Sequence, residues 1–351
     1  MTEPSAQAVA PKASTNHLGQ PLAAYRGVTS TLCSGCGHDA ITNQIIKACY
    51  ELDVESHRVA KLSGIGCSSK TTAYFLGQSH GFNSVHGRMA AVATGVHLAN
   101  RTLLNIGVSG DGDTASIGLG QFLHMIRRNV RICYLIENNG VYGLTKGQFS
   151  ATADKGSVQK KGTENEMMPI DCCALAIEMG CRFVARSFSG DMKQLLTLIK
   201  AGLNHPGTAM IDVVSPCVTF NNHEGSTKSY KFAKEHEEQL HDIGFVPPHE
   251  QITAEYAEGT TKTIELPDGA KIVLKKLHRD YDPADRNNAL KLLADARDQR
   301  LFLTGLIYHQ DGTYPDLVEQ KNLVEEPLAT LSESKVRPPR EVLQKIMESL
   351  K

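Results

Sequence analysis

Two short turns constrain this chain more than any other part of it. Gly110, Asp111, Gly112 and Asp113 follow an apolar run at residues 103–108, and Glu137, Asn138, Asn139 and Gly140 follow another at residues 130–136. The second run is broken only by Arg131, as suits a strand buried on both faces. A turn built on two glycines lets backbone N–H groups come close to a diphosphate. A carboxylate and an amide oxygen at neighbouring strand ends can then complete a Mg²⁺ shell, because Mg²⁺ takes few protein ligands and fills the rest with phosphate oxygens.

The surrounding pattern predicts an α/β fold, a mostly parallel sheet covered by helices. Further strands are expected at residues 59–62, 183–185 and 209–214, with helices at 171–179 and 191–203. A helix after the first turn should bury Ile117, Phe122, Leu123 and Ile126 on one face. Strand–helix–strand alternation of this kind builds a parallel sheet. From about residue 247 the style changes. A β-hairpin is expected at 262–274 around Pro267, Asp268 and Gly269. A helix capped by Asp282 and opened by Pro283 should run to about Arg300, followed by a strand at 301–308. The chain thus divides into an arm-like N-terminus (1–24), a cofactor-binding domain (25–246) and a C-terminal α/β extension (247–351).

Nine cysteines accompany a polar, Ala- and Ser-rich N-terminus without the apolar core of a secretion signal. That combination argues against a disulfide framework and for metal or redox chemistry in a reducing compartment. Cys33 and Cys36 have CxxC spacing, which fits zinc, iron or a dithiol redox pair. Cys67 and Cys217 each follow an expected strand, as Asp111 and Asn139 do, and in an open parallel sheet those ends share one edge where ligands bind. Four thiolates there suit a [4Fe–4S] cluster, with a four-thiolate zinc site as the competitor. Cys49, Cys133, Cys172, Cys173 and Cys181 fall inside expected helices or strands and read as core packing. The net charge of −1 gives no reason to expect nucleic acid or a membrane surface as partner, and no apolar run nears the ~20 residues of a membrane span. A cytoplasmic location is expected.

A Gly-Asp-Gly followed some twenty-odd residues later by Asn-Asn is the pattern of thiamine-diphosphate enzymes, and more of the chain matches one family of them. Cys33 to Gly37 gives Cys-x-Gly-Cys-Gly, Gly64 to Ser69 gives Gly-Ile-Gly-Cys-Ser-Ser, and His86, Gly87 and Arg88 give His-Gly-Arg. Gly-Asp-Gly-Asp at 110–113 and Asn-Asn-x-x-Tyr-Gly-Leu-Thr-Lys-Gly-Gln at 138–148 complete the series. In these five motifs, in order and spacing across residues 25–245, the chain resembles the β subunits of 2-oxoacid:ferredoxin oxidoreductases, those acting on 2-oxoglutarate most of all. The resemblance implies a [4Fe–4S] cluster on Cys33, Cys36, Cys67 and Cys217. It implies Mg²⁺ held by Asp111, Asn139 and the carbonyl of Val141. It implies thiamine-diphosphate contacts from Ile65, Gly66, Cys67, Ser68, His86, Gly112, Asp113, Gly143 and Leu144.

The activity so implied is oxidative decarboxylation of a 2-oxoacid to an acyl-CoA, with coenzyme A as co-substrate and electrons leaving through the cluster to ferredoxin. The glutamate that activates the thiamine cofactor is not identifiable in this chain. The family carries it on a separate α subunit, so an (αβ)₂ assembly is expected. Lys70 and Lys146 are candidates to hold a substrate carboxylate, since such a group needs a cation near the reacting carbon. The 142–150 loop and the two lysines favour 2-oxoglutarate, giving succinyl-CoA, over pyruvate or a broad 2-oxoacid range. A reading from another class is a non-catalytic metal-binding or redox-sensing subunit.

Overall fold

The computed structural model describes residues 15–158, 163–218, 253–265, 271–312 and 314–351. Most of the expected N-terminal arm, the Pro267–Asp268–Gly269 turn and the boundary near residue 246 lie outside the described residues.

Among the described residues nine strands join in one sheet. They are β1 (Val59–Ser63), β2 (His80–Asn83), β3 (Leu104–Gly110), β4 (Ile132–Asn138), β7 (Phe183–Phe188), β8 (Thr208–Val214), β9 (Thr261–Glu265), β10 (Lys271–Lys276) and β11 (Leu301–His309). Their order across the sheet is β2-β1-β3-β4-β8-β7-β11-β10-β9. A separate two-stranded hairpin, β5 (Val141–Tyr142) and β6 (Gln148–Phe149), stands over the end of β4. From β2 through β7 every pairing is parallel; β11 runs antiparallel to β7, and β9 antiparallel to β10. The fold is therefore the α/β arrangement that the alternation predicts, including its C-terminal extension.

Helices cover both faces. One face packs α3 (Met89–Ala99), α4 (Leu119–Arg127), α5 (Cys172–Glu178) and α7 (Arg286–Asp298) against Leu62, Ile132, Tyr134 and Ile136. The other packs α1 (Gly37–Glu51) and α6 (Met192–Asn204) against Ile106, Val108, Leu135 and Ile211. The side chain of Asp171 accepts N–H bonds at the start of α5 and that of Asp191 at the start of α6, which is why those helices begin where they do. α2 (Ser68–Tyr74) opens directly after β1. Cys49, Cys133, Cys172, Cys173 and Cys181 are all buried. Cys181 lies in the turn after α5, where its thiol reaches the carbonyls of Phe183 and Thr208. No helix among the described residues is long and apolar enough to cross a membrane.

Two local expectations change. The helix at 286–298 is capped by Asp285, whose carboxylate accepts from Asn288 N at 3.0 Å. Asp282 instead turns back on Ala284 N at 2.9 Å, so Pro283 precedes the helix and does not open it. The segment after Asp111 is not one continuous α-helix. A π-type turn, Gly112–Ile117, closes with Gly118 N bonded to Asp113 O, and α4 starts afresh. That change of register leaves Ile117 46% exposed while Phe122 and Ile126 are buried. Ahead of the domain, the Asn16 amide donates to Tyr25 Oη at 2.7 Å and to Tyr50 O at 3.2 Å. The C-terminal strands extend the main sheet. Without β11, the backbone groups of β7 would form an unpaired edge, and β11 covers it. Beyond the sheet, the helix Arg340–Ser349 has no buried residue.

Candidate cofactor site

β1, β3, β4 and β8 all end at one edge of the sheet, and the expected site residues gather beyond those ends. One pocket there is lined by Ile65, Gly66, Cys67 and Ser68 after β1, by His86, by Gly110, Asp111, Gly112 and Asp113 after β3, and by Glu137 and Asn139 at the end of β4. Val141, Tyr142, Gly143 and Leu144 of the hairpin close it. Every residue expected to contact the thiamine cofactor therefore lies on this one surface.

Absent side chains shape the pocket as much as present ones. A Cβ on Gly64 would lie 1.8 Å from Asp113 Oδ2, and one on Gly112 would lie 2.5 Å from the Tyr142 ring. Tyr142 caps the Gly112 turn, donating from its hydroxyl to Gly112 O at 3.2 Å, and meets His86 edge-on. At both glycines any larger residue would displace the packing that builds the pocket wall.

The two aspartates of the Gly-Asp-Gly-Asp turn do different things. The carboxylate of Asp113 is already engaged by the protein: Oδ1 accepts from Ile65 N at 3.1 Å, from Gly87 N at 2.7 Å and from His86 Nδ1 at 2.5 Å, and Oδ2 from Ser109 Oγ at 2.8 Å. Asp113 therefore ties the loop after β1 and the His86 turn to the end of β3. Asp111 is buried too, but its satisfaction is lopsided. Ser150 Oγ and Thr152 Oγ1 both donate to Oδ2, whereas Oδ1 accepts from Asn139 N, at 3.3 Å. Burial pushes the Asp111 carboxyl above its ordinary range, against the lowering effect of the two hydroxyls and the Asn139 N–H. A cation near Oδ1 would relieve that burial cost. Asn139 sits beside it with its own Oδ1 on Val141 N at 3.1 Å, so the three expected Mg²⁺ ligands are adjacent.

The cysteines converge on the same edge. Gly37 presses α1 onto the ends of β7 and β8, where a Cβ would meet Ser215 Oγ at 2.5 Å and Ser189 Oγ at 2.6 Å. His38 Nδ1 lies 2.8 Å from Ser215 Oγ, which brings Cys36 towards Cys217. Cys36 N bonds Cys33 O, closing the CxxC turn. Burial raises the Cys67 thiol pKa first, and neighbouring Cys217 and Cys33 raise it further while Lys70 lowers it. Cys36 is raised mainly by burial, with Glu137 and Cys217 adding to it. The four are neighbours, yet among the described residues no three Cys, His, Asp or Glu side chains close on a common point at metal-ligand distance.

The lysines stand further out. Lys70 is half-buried on α2, and Lys146 is exposed at the tip of the β5–β6 hairpin, where its φ is +79°. Neither lines the pocket, whereas Thr145 does. Arg88 turns to the Gly87 carbonyl at 3.2 Å.

Sequence reasoning passed over three participants. Ser150 and Thr152 hold Asp111, and their only signal is the alternation of hydroxyl residues after Phe149. Glu137 is fully buried between the cysteine loop and the pocket. Both its oxygens lie 3.1 Å from Thr71 Oγ1, and its Oε2 lies 3.7 Å from His38 Nε2. Burial raises its carboxyl well above the ordinary range, opposed by Thr71.

The family described as thiamine pyrophosphate enzyme, C-terminal TPP binding domain, matches residues 64–213. The 2-oxoacid:ferredoxin oxidoreductase subunit beta of Sulfolobus sp is 42% identical over 205 residues, 57% of this chain and 66% of that protein. Subunit beta of 2-oxoacid:ferredoxin oxidoreductase 1 of Aeropyrum pernix is 43% identical, and the match spans 63% of its length. The chain thus covers slightly less than two thirds of these two relatives. The 2-oxoglutarate synthase subunit KorB of Methanocaldococcus jannaschii is 35% identical over 258 residues, 70% of this chain and 91% of that protein. A solved 2-oxoglutarate:ferredoxin oxidoreductase from Magnetococcus marinus, with 2-oxoglutarate, coenzyme A and succinyl-CoA bound, superposes with a TM-score of 0.70 at 28% identity, covering 97% of this chain and all of that one. With a thiamine-diphosphate-binding fold, five ordered motifs and relatives matched over most of their length, this chain belongs to the β subunits of the 2-oxoacid:ferredoxin oxidoreductases.

Proposed function

We propose that this chain, joined to an α subunit, oxidatively decarboxylates 2-oxoglutarate to succinyl-CoA and passes the electrons through a [4Fe–4S] cluster to ferredoxin. The observation that carries the reading is the meeting, at one sheet edge, of two oxygen-bearing side chains, Asp111 and Asn139, whose residues are joined by the Asn139 N–H bond to Asp111 Oδ1 at 3.3 Å, and a set of four neighbouring cysteines. Hard oxygens suit Mg²⁺ and thiolates suit iron, so the two donor sets sort themselves by chemistry. Gly66, Gly110 and Gly112 line the pocket, and backbone without side chains there suits close approach of a diphosphate. Bound there, thiamine diphosphate supplies the electron sink for loss of carbon dioxide, and the cluster supplies the one-electron exit.

Within this reading Asp111, Asn139 and the Val141 carbonyl hold Mg²⁺, and Cys33, Cys36, Cys67 and Cys217 hold the cluster. Asp113 and His86 form a preset pair that fixes the wall of the pocket. Tyr142 and Leu144 line its hairpin side. The α subunit supplies the glutamate that this chain lacks, ferredoxin is the electron acceptor, and the assembly is (αβ)₂. A pyruvate or broad-range enzyme is the second reading, since neither lysine lines the pocket of this chain alone.

The substrate is tested by assaying the anaerobically co-purified complex with 2-oxoglutarate and pyruvate side by side. Lys70→Ala or Lys146→Ala should weaken 2-oxoglutarate turnover selectively. Loss of a desolvated charged contact at the distal carboxylate is worth about 2–4 kcal/mol, or about 30- to 1000-fold in kcat/KM. Equal losses for both substrates place the lysine at the shared carboxylate, and no loss for either returns it to solvent.

A further inference from the structure

We infer that Asp212 and Arg186 are positioning residues for the Mg²⁺ site, acting through Asn138 and Thr152 on Asp111. The inference rests on the proposed Mg²⁺ role of Asp111 and adds a support that crosses four neighbouring strands, β7, β8, β4 and β3. Arg186 on β7 lies opposite Asp212 on β8, and its Nε donates to Asp212 Oδ2 at 2.8 Å. Its Nη2 reaches Asp171 Oδ1, also at 2.8 Å, and Asp171 caps α5, so the guanidinium is fixed at both ends. The other oxygen of Asp212 accepts from Asn138 Nδ2 at 3.0 Å.

That last contact decides which way the Asn138 amide faces. An amide has a donor end and an acceptor end, and the acceptor-only carboxylate of Asp212 takes the donor end. Asn138 Oδ1 must then face Thr152, and Thr152 Oγ1 lies 2.9 Å from it. The same hydroxyl lies 2.7 Å from Asp111 Oδ2. A hydroxyl carries one proton, so the two acceptors compete for it. When a cation takes up the charge of Asp111, Thr152 still has Asn138 as acceptor and is not orphaned. A buried hydroxyl left without a partner would oppose metal binding. With Asn138 turned the other way, Thr152 would face a donor there and keep the Ser150 hydroxyl, at 3.0 Å, as its second acceptor in place of the closer amide oxygen. Arg186, Asp212, Asp111 and Thr152 are all at most 9% exposed, so solvent offers no substitute partner.

The test uses the complete αβ complex, stripped of divalent cation and kept in a fixed excess of thiamine diphosphate, with MgCl₂ as the titrant and the heat of MgCl₂ into the cofactor alone subtracted. Calorimetry gives the Mg²⁺ Kd, alongside Tm and iron content. Thr152→Val should weaken Mg²⁺ about tenfold or more, the usual effect of losing a group that orients a metal ligand, and Thr152→Ser should restore it. Asp212→Asn should weaken Mg²⁺ comparably, and the double variant should be no weaker than the worse single one, because both break one path. If Asp212→Asn does not fold, the Thr152→Val and Thr152→Ser pair decides. Unchanged Mg²⁺ affinity with a lowered Tm would reduce the network to a structural strut and overturn the inference. Additive losses in the double variant would overturn it as well. Asp111→Asn separates the two levels. If it abolishes Mg²⁺ binding while Thr152→Val does not change it, only the positioning role fails. If Asp111→Asn binds Mg²⁺ normally, the metal assignment itself fails.

Discussion

Asp111→Ala is expected to abolish Mg²⁺-dependent binding of thiamine diphosphate while the iron content stays nearly that of the unaltered chain. The carboxylate is 1% exposed and stands at the junction of β3 and β4, adjacent to Asn139. Its loss removes a charged ligand and takes the Asp111 acceptor from the Ser150 hydroxyl and the Asn139 N–H, while the Thr152 hydroxyl keeps Asn138 Oδ1. An unsatisfied buried group costs about 1–3 kcal/mol, so the apo variant should also melt earlier. Titrating the cofactor with and without Mg²⁺, and measuring iron in the same sample, separates the two donor sets. Cofactor affinity equal to that of the unaltered chain would remove Asp111 from the metal shell.

The second large effect concerns the thiols. Cys33→Ala, Cys36→Ala, Cys67→Ala and Cys217→Ala should each lower iron occupancy and ferredoxin reduction, and Cys133→Ala should change neither. The contrast rests on place. Cys36, Cys67 and Cys217 influence one another electrostatically at the ligand-bearing edge, whereas Cys133 is buried mid-strand in β4 behind α6. Removing its sulfur costs packing, on the order of 1 kcal/mol, and no metal. Stoichiometric zinc without iron after strictly anaerobic purification would end the electron-transfer assignment and favour a structural four-thiolate site.

Much of the candidate site is legible in the amino-acid sequence. Glycine turns, a carboxylate, an amide and a CxxC pair are local patterns whose chemistry needs those residue types at short spacing. Their position after apolar runs is enough to place them at one sheet edge, and the structure puts Asp111, Asn139, Cys67 and Cys217 there. Helix starts are legible where a lone aspartate precedes an amphipathic stretch, as at Asp171 and Asp191. The pattern misleads at 282–285, where two aspartates compete and the backbone direction chooses Asp285.

The amino-acid sequence by itself determined the alternation of strands and helices, the two glycine turns and the identity of the donor atoms, because each depends on neighbours within a few residues. Only the tertiary structure decided how those atoms are used. Asp111 and Asp113 are two residues apart and chemically identical. Asp113 is consumed by Ile65, Gly87, His86 and Ser109, while on Asp111 both hydroxyl donors fall on one oxygen and the other takes the longer Asn139 N–H contact. Ser150 and Thr152 lie some forty positions from the aspartate they hold, and Asp212 reaches Asn138 across 74. The C-terminal strands read as an appendage and joined the main sheet because β7 would otherwise end it with unpaired backbone. In each case the deciding partner is distant in sequence, and hydrogen-bond satisfaction in a buried space is settled only when the strands have found their order.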